Sequence, residues 1–172
     1  MRFLAGFVTA IVLLVIAGFL YFQMGYAPVA TASSPMPFEK MLAHLGLRAR
    51  IAKDAPDKAP IDADDAAFEA GARIYRQQCA VCHGLPEQPL SAIAKGMYPD
   101  VPQLFVHKVT DDPAGETYWK VANGIRLTGM PAFKGSLSET ELWQVSLMLA
   151  HADKLPAQAT ELLKQPLQPA NW

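Results

Sequence analysis

Two cysteines two residues apart, followed at once by a histidine, constrain this chain more than any other feature: Cys79-Ala80-Val81-Cys82-His83. The spacing is the attachment signature of a c-type haem. Each thiol can add across one haem vinyl group to make a thioether. The neighbouring histidine then lies under the iron, where an imidazole nitrogen can bind it. No other cysteine occurs in the sequence, so no third thiol competes. A redox dithiol would need a βαβ setting, whereas this motif follows a helical pattern and runs into Gly84-Leu85-Pro86. A structural zinc site needs about four ligands, and no second Cys/His pair stands at finger spacing. A disulfide across two residues would be strained. The motif therefore predicts one covalent haem c, held by Cys79 and Cys82, with His83 on the iron.

The N-terminus agrees with that chemistry. Phe3 to Phe22 carries no charge, a run of about twenty residues that spans a bilayer as a helix. Arg2 precedes it on the side expected to stay in the cytoplasm, and Tyr21, Phe22 and Tyr26 fall where interfacial aromatics sit on the far side. Ala30-Thr31-Ala32 resembles a signal-peptide cleavage site. The apolar run is longer than a usual signal core, however, and ends well before that site, so an uncleaved anchor is the favoured reading. Either way the remainder is exported, as c-type haem attachment requires.

Charge is unevenly spread. Residues 1–60 hold six basic and three acidic residues, net +3, and residues 61–155 hold eight basic and twelve acidic, net −4. A nucleic-acid binder would need a clustered basic face, so no nucleic-acid partner is expected. Residues 1–26 read as the membrane anchor, 27–60 as a linker outside the cytoplasm, 61–155 as the haem domain and 156–172 as a Pro-rich tail. Pro28, Pro35, Pro37, Pro56 and Pro60 break up the linker. Within it Phe38 to Lys53 fits a short basic amphipathic helix, with Met41, Leu42 and Leu45 near helical spacing. Such a segment suits a lipid surface or a partner subunit; a partly ordered linker fits as well. The tail carries a short helical stretch at Thr160–Lys164 and ends on Trp172, so it could dock on a neighbouring subunit or have no fixed structure.

In the haem domain, Asp64 or Asp65 can cap a helix. Phe68, Gly71, Ala72, Tyr75 and Cys79 then share one face. Gly71 is unfavourable inside a helix unless another backbone must approach closely. Ser138-Glu139-Thr140-Glu141 reads as a capping box. It opens a helix whose Leu142, Val145, Ser146 and Leu149 line up, and the two helices are expected to cross near Gly71. Pro113 to Ala122 predicts a further helix, stopped by Asn123-Gly124. No stretch alternates as a strand, so the fold class is all-α.

For the sixth iron ligand the candidate is Met130 in Thr128-Gly129-Met130-Pro131-Ala132-Phe133. Gly129 permits unusual backbone angles and Pro131 fixes the next one, so together they can hold a methionine on an extended loop. His/Met ligation raises the potential of haem iron. Met97 is the runner-up, and Met148 reads as core. His107 is a weak distal candidate; His44 and His151 look like neither ligand.

The chain resembles class I c-type cytochromes, in particular the membrane-anchored monohaem type with a cbb3-oxidase-like cytochrome c domain. The resemblance rests on Gly71-Ala72-Arg73-Ile74-Tyr75, the haem motif, Trp119-Lys120-Val121-Ala122-Asn123-Gly124-Ile125, Gly129-Met130-Pro131-Ala132-Phe133 and Leu137-Ser138-Glu139-Thr140-Glu141-Leu142-Trp143, in that order. It implies a class I cytochrome c fold behind an N-terminal transmembrane helix, with haem in a cleft between the first and last helices. His83 would be the proximal ligand and Met130 the distal one. A proline soon after the motif, Pro86 or Pro89, would accept the imidazole N–H through its carbonyl. Tyr98, Trp119 and Arg126 would be wall or propionate contacts. The segment from Leu85 to Pro99 departs from the family's usual text.

A six-coordinate iron leaves no open position for substrate, so the expected function is one-electron transfer rather than catalysis. The expected partners are redox proteins in or at the cytoplasmic membrane. The chain would be a carrier to a respiratory membrane complex or, by preference, one of its subunits, because linker and tail both look built to touch something. A haem enzyme with a displaceable Met130 is the alternative; a dihaem peroxidase would need a second attachment motif. A haem-based sensor would want a cytoplasmic domain, and only Met1 and Arg2 precede the apolar run.

Overall fold

The structure is a computed structural model that describes residues 2–106 and 109–167. His107 and Trp172, weighed above as a distal ligand and a docking group, lie outside the described residues. The chain divides into two units, Met1–Ala43 and His44–Trp172. Among the described residues there are helices and no strand, as the sequence predicts.

In the first unit, α1 (Arg2–Gln23) is long and apolar enough to cross a membrane by length and composition. In its middle, Thr9 Oγ1 donates to the Ala5 carbonyl at 3.0 Å. Such a bond is how a helix hydroxyl is satisfied where no water is at hand. At its end Gly25 (φ 76°) turns the chain, and Tyr26 stacks on Tyr21 with ring centres 6.2 Å apart. α2 (Glu39–Asp54), which begins in this unit and runs from His44 in the second, matches the helix expected over Phe38–Lys53, and Met36 N–H donates to the Glu39 carboxylate at its start.

The second unit is built on a helix crossing. Asp64 caps α3 (Asp65–Gln78) by accepting the Ala67 N–H at 2.8 Å. Ser138 and Glu141 cap α7 (Glu139–Ala150) as a complete capping box. The two helices pack mainly against each other, and Gly71 is the point of contact. A Cβ there would stand 2.7 Å from Met148 Cβ, 2.8 Å from the Gln144 carbonyl carbon and nearer still to its oxygen. Glycine is thus required by approach, and the costly position in α3 is offset by the crossing. Tyr75, Ala72, Val145 and Met148 are sealed between them. α6 (Ala114–Asn123) adds Val121 and Ala122 to this core, and Tyr118 stacks on Trp143 at 4.2 Å.

The tail also joins this core. After Pro156, α8 (Ala157–Lys164) buries Ala159 and Leu163 and packs on α3. Arg76 of α3 donates to the carbonyls of Leu162 (2.7 Å), Pro166 (3.2 Å) and Gln165, which close the open C-terminal end of α8. Gln88 donates to the Lys164 carbonyl at 3.0 Å. The described part of the tail is therefore used within the unit that carries it. Two single-turn helices, α4 (Ala80–His83) and α5 (Ala92–Lys95), complete the unit together with a 3₁₀ turn at Val109–Asp111.

Candidate haem centre

α3 ends at Cys79, whose N–H still bonds the Tyr75 carbonyl. The chain then makes one more turn, with the N–H groups of Cys82 and His83 donating to the Cys79 carbonyl at 3.1 and 2.9 Å. Residues at i, i+3 and i+4 of a helical turn share a side, so Cys79, Cys82 and His83 are gathered together. All three are half-buried. Ala80, between them, points into the core, and Val81 is exposed.

Two interactions stop that turn and fix its end. Gly84 adopts φ 75°, a conformation that favours glycine. The buried Tyr75 hydroxyl donates to the Gly84 carbonyl at 2.7 Å. The chain leaves His83, travels through α5 and returns, so that the Pro102 carbonyl lies 2.9 Å from His83 Nδ1. This corrects the expectation of Pro86 or Pro89: the reversal at Gly84 carries those residues off, and the returning strand of loop supplies the acceptor. Gln103 beside it bonds the Val101 carbonyl at 3.2 Å, and its side-chain oxygen occupies the space a Cβ on Gly84 would take. With Nδ1–H donating to Pro102, the neutral ring presents Nε2 as a base to a metal.

Burial shapes the ionisation here. It lowers the His83 pKa, opposed in part by the bond to Pro102, so the neutral, metal-binding ring is favoured. Burial, aided by the nearby Cys82, pushes the Cys79 thiol up to about 12. A buried thiolate is thus disfavoured at Cys79, whereas an uncharged thioether suits the position. Burial raises the Tyr75 hydroxyl as well, with Cys79 adding to it, so Tyr75 stays a donor.

Met130 sits on a loop tied to the end of α6. Phe133 and Lys134 N–H groups donate to the Val121 and Ala122 carbonyls at 3.0 and 3.2 Å, and Ile125 N–H donates to the Met130 carbonyl at 3.2 Å. Thr128 Oγ1 accepts the Met130 N–H at 3.1 Å. Gly124 (φ 66°) stops α6 and lets this loop lie on it, since a Cβ would stand 2.7 Å from Ala132 N. Met130 is half-buried against the core, while Leu127, also at positive φ, is 93% exposed. Met97 packs on the Gly129 backbone, its Sδ 3.5 Å from where a Cβ would be. Met148 is core, as read. Tyr98 and Trp119 are half-buried and Arg126 is exposed. His151 closes α7: its Nδ1 lies 2.9 Å from the Leu147 carbonyl and its ring 5.1 Å from that of Phe68. His44 is exposed on α2. Sequence reasoning missed Pro102 and Gln103, for which no local spacing gives a signal.

These residues fit haem. Two thiols and an imidazole with its outer nitrogen held lie on one turn, and a thioether is fixed on a braced loop. Among the described residues no group of three or more His, Cys, Asp or Glu side chains could make a protein-only metal site.

An all-helical unit closed by α3 and α7, with this motif at its centre, is a class I c-type cytochrome domain, and such a domain carries covalent haem c. Residues 66–147 match the family described as "Cytochrome C oxidase, cbb3-type, subunit III". Over 90 residues the chain is 30% identical to "Quinohemoprotein alcohol dehydrogenase ADH IIB" of Pseudomonas putida, a match covering 51% of this chain. The matched stretch is 11% of that protein's length.

Proposed function

We propose that this chain is a membrane-tethered carrier of single electrons. In this reading Cys79 and Cys82 hold the porphyrin, and His83 Nε2 and Met130 Sδ bind the iron. The bound group supplies a metal that changes by one electron without bond making. The protein's part is positional. Pro102 fixes the His83 ring, the Gly124–Phe133 loop presents Met130, and Tyr75, Leu85 and Val121 keep water from that side of the domain. The observation that carries this is the His83–Pro102 bond beside the paired cysteines. It holds Nδ1 and leaves Nε2, beside the two thiols, as the ring nitrogen that a metal can take.

α1 anchors the chain in the cytoplasmic membrane with the haem domain on the outer side. Its partners are redox proteins there, and the chain is a subunit of, or carrier to, a respiratory membrane complex. The names of the matched family and of the similar protein, an oxidase subunit and a quinohaemoprotein dehydrogenase, support redox partners. Purification from membranes in mild detergent tests it. The expected result is a red polypeptide whose pigment survives acid–acetone extraction, recovered with other redox subunits. Recovery of the pigmented chain in the soluble fraction would overturn the tether.

A further inference from the structure

α2 has two apolar sides. At about 100° per residue, Leu47 and Ile51 fall on one side and Leu45, Ala49 and Ala52 on the other. Ile51 is 4% exposed and Leu47 half-buried, so the first side is turned to protein. Just beyond, Pro56 packs on Gly115 of α6, where a Cβ would stand 2.9 Å from the Pro56 carbonyl carbon. The C-terminal end of α2 is thereby fixed to the haem domain. The second side faces away from it. Leu45 is 64% exposed, and Ala49 and Ala52 are exposed; Met41 and Leu42 continue the stripe on the preceding turn. Arg48 and Lys53 flank it on its two edges. Asp54 falls off the stripe, where it pairs with Arg50.

We propose that this side of α2 lies on anionic lipid. Leu45, Ala49 and Ala52 would enter the boundary between headgroups and acyl chains, with Arg48 and Lys53 on headgroup phosphates. An apolar stripe edged by cations is the pattern of an interfacial helix. A protein partner fits less well, because interface centres favour aromatic residues, and Leu45, Ala49 and Ala52 bring no ring. The inference rests on the proposal that α1 crosses the membrane; Met24–Phe38 could then carry α2 no more than about 50 Å from the bilayer. The consequence is orientation: α2 is fixed to the haem domain, so lipid contact would restrict which face of that domain meets a partner.

Hydrogen exchange of the full-length haem-loaded protein tests this in three settings: detergent, nanodiscs of phosphatidylcholine alone, and nanodiscs containing phosphatidylglycerol. The expected result is exchange about tenfold slower over residues 39–54 in the anionic discs only. Arg48→Glu with Lys53→Glu should remove that difference while the haem spectrum is unchanged. Equal exchange in all settings, or slowing only when a partner protein is added, overturns the proposal. Exchange of α1 separates the two readings. A protected α1 with unprotected α2 removes the lipid contact alone, and an unprotected α1 in discs removes the anchor.

Discussion

His83 donates through Nδ1 to the carbonyl of Pro102 at 2.9 Å, across nineteen positions of sequence. The bond depends on a chain reversal that only a small residue permits at Gly84, where φ is 75° and the Gln103 side chain fills the space beside Cα. Gly84→Ala is therefore expected to destabilise the domain by about 1–3 kcal/mol. It should also raise the reduction potential, because a weaker bond from Nδ1–H to Pro102 makes the His83 ring a poorer donor to ferric iron. Denaturant midpoints and a redox titration measure both.

The crossing at Gly71 leaves no room for a methyl group, because what it would meet is mostly Gln144 backbone. Backbone cannot turn aside as a flexible side chain does. Gly71→Ala should destabilise by about 2–3 kcal/mol through overpacking, against near neutrality for Gly135→Ala, where nothing lies within 4 Å. Urea unfolding of the two variants compares them directly.

Arg76 holds the end of α8 through three carbonyls. Arg76→Met keeps the aliphatic stem and removes the donors. A loss of about 1–2 kcal/mol is expected, as for charge-assisted bonds that are partly exposed. Amide exchange in α8 should quicken while α6 is unchanged.

Burial sets the pH response at His83. Its pKa lies below the ordinary value in the folded protein, so the unfolded chain binds the proton more tightly. The contribution to stability is complete above about pH 6.5, the ordinary histidine value, and is lost as pH falls below it. Iron bound at His83, as proposed, would act in the same direction, since it too needs the neutral ring. The urea midpoint should fall between pH 7.5 and pH 5.5; a midpoint that rises on acidification contradicts this.

Much of the domain was legible because its signals are local. Asp64 and the Ser138–Glu141 box mark helix starts by hydrogen bonds made within four residues. Gly71 marked a close crossing because an interior glycine needs a reason. The Asn123-Gly124 stop and the loop to Phe133 likewise follow from short-range chemistry. The Pro102 acceptor was not legible, because it arrives through a loop of about twenty residues whose path is set by Gly84, by α5 under its Ser91 cap and by contacts with Gln103. The role of α8 was hidden for a related reason. Its buried residues are Ala159 and Leu163, with Leu162 half-buried beside them, too short a pattern to declare a partner until Arg76 is seen beneath its end.

The ligation of the iron is tested most directly by the ferric absorption spectrum and reduction potential of the haem-loaded protein beside its Met130→Ala variant. The account predicts a weak far-red sulfur-to-iron band that vanishes in the variant, a lower potential, and new binding of carbon monoxide by the reduced form. An unchanged band and potential would show that Met130 does not bind the metal.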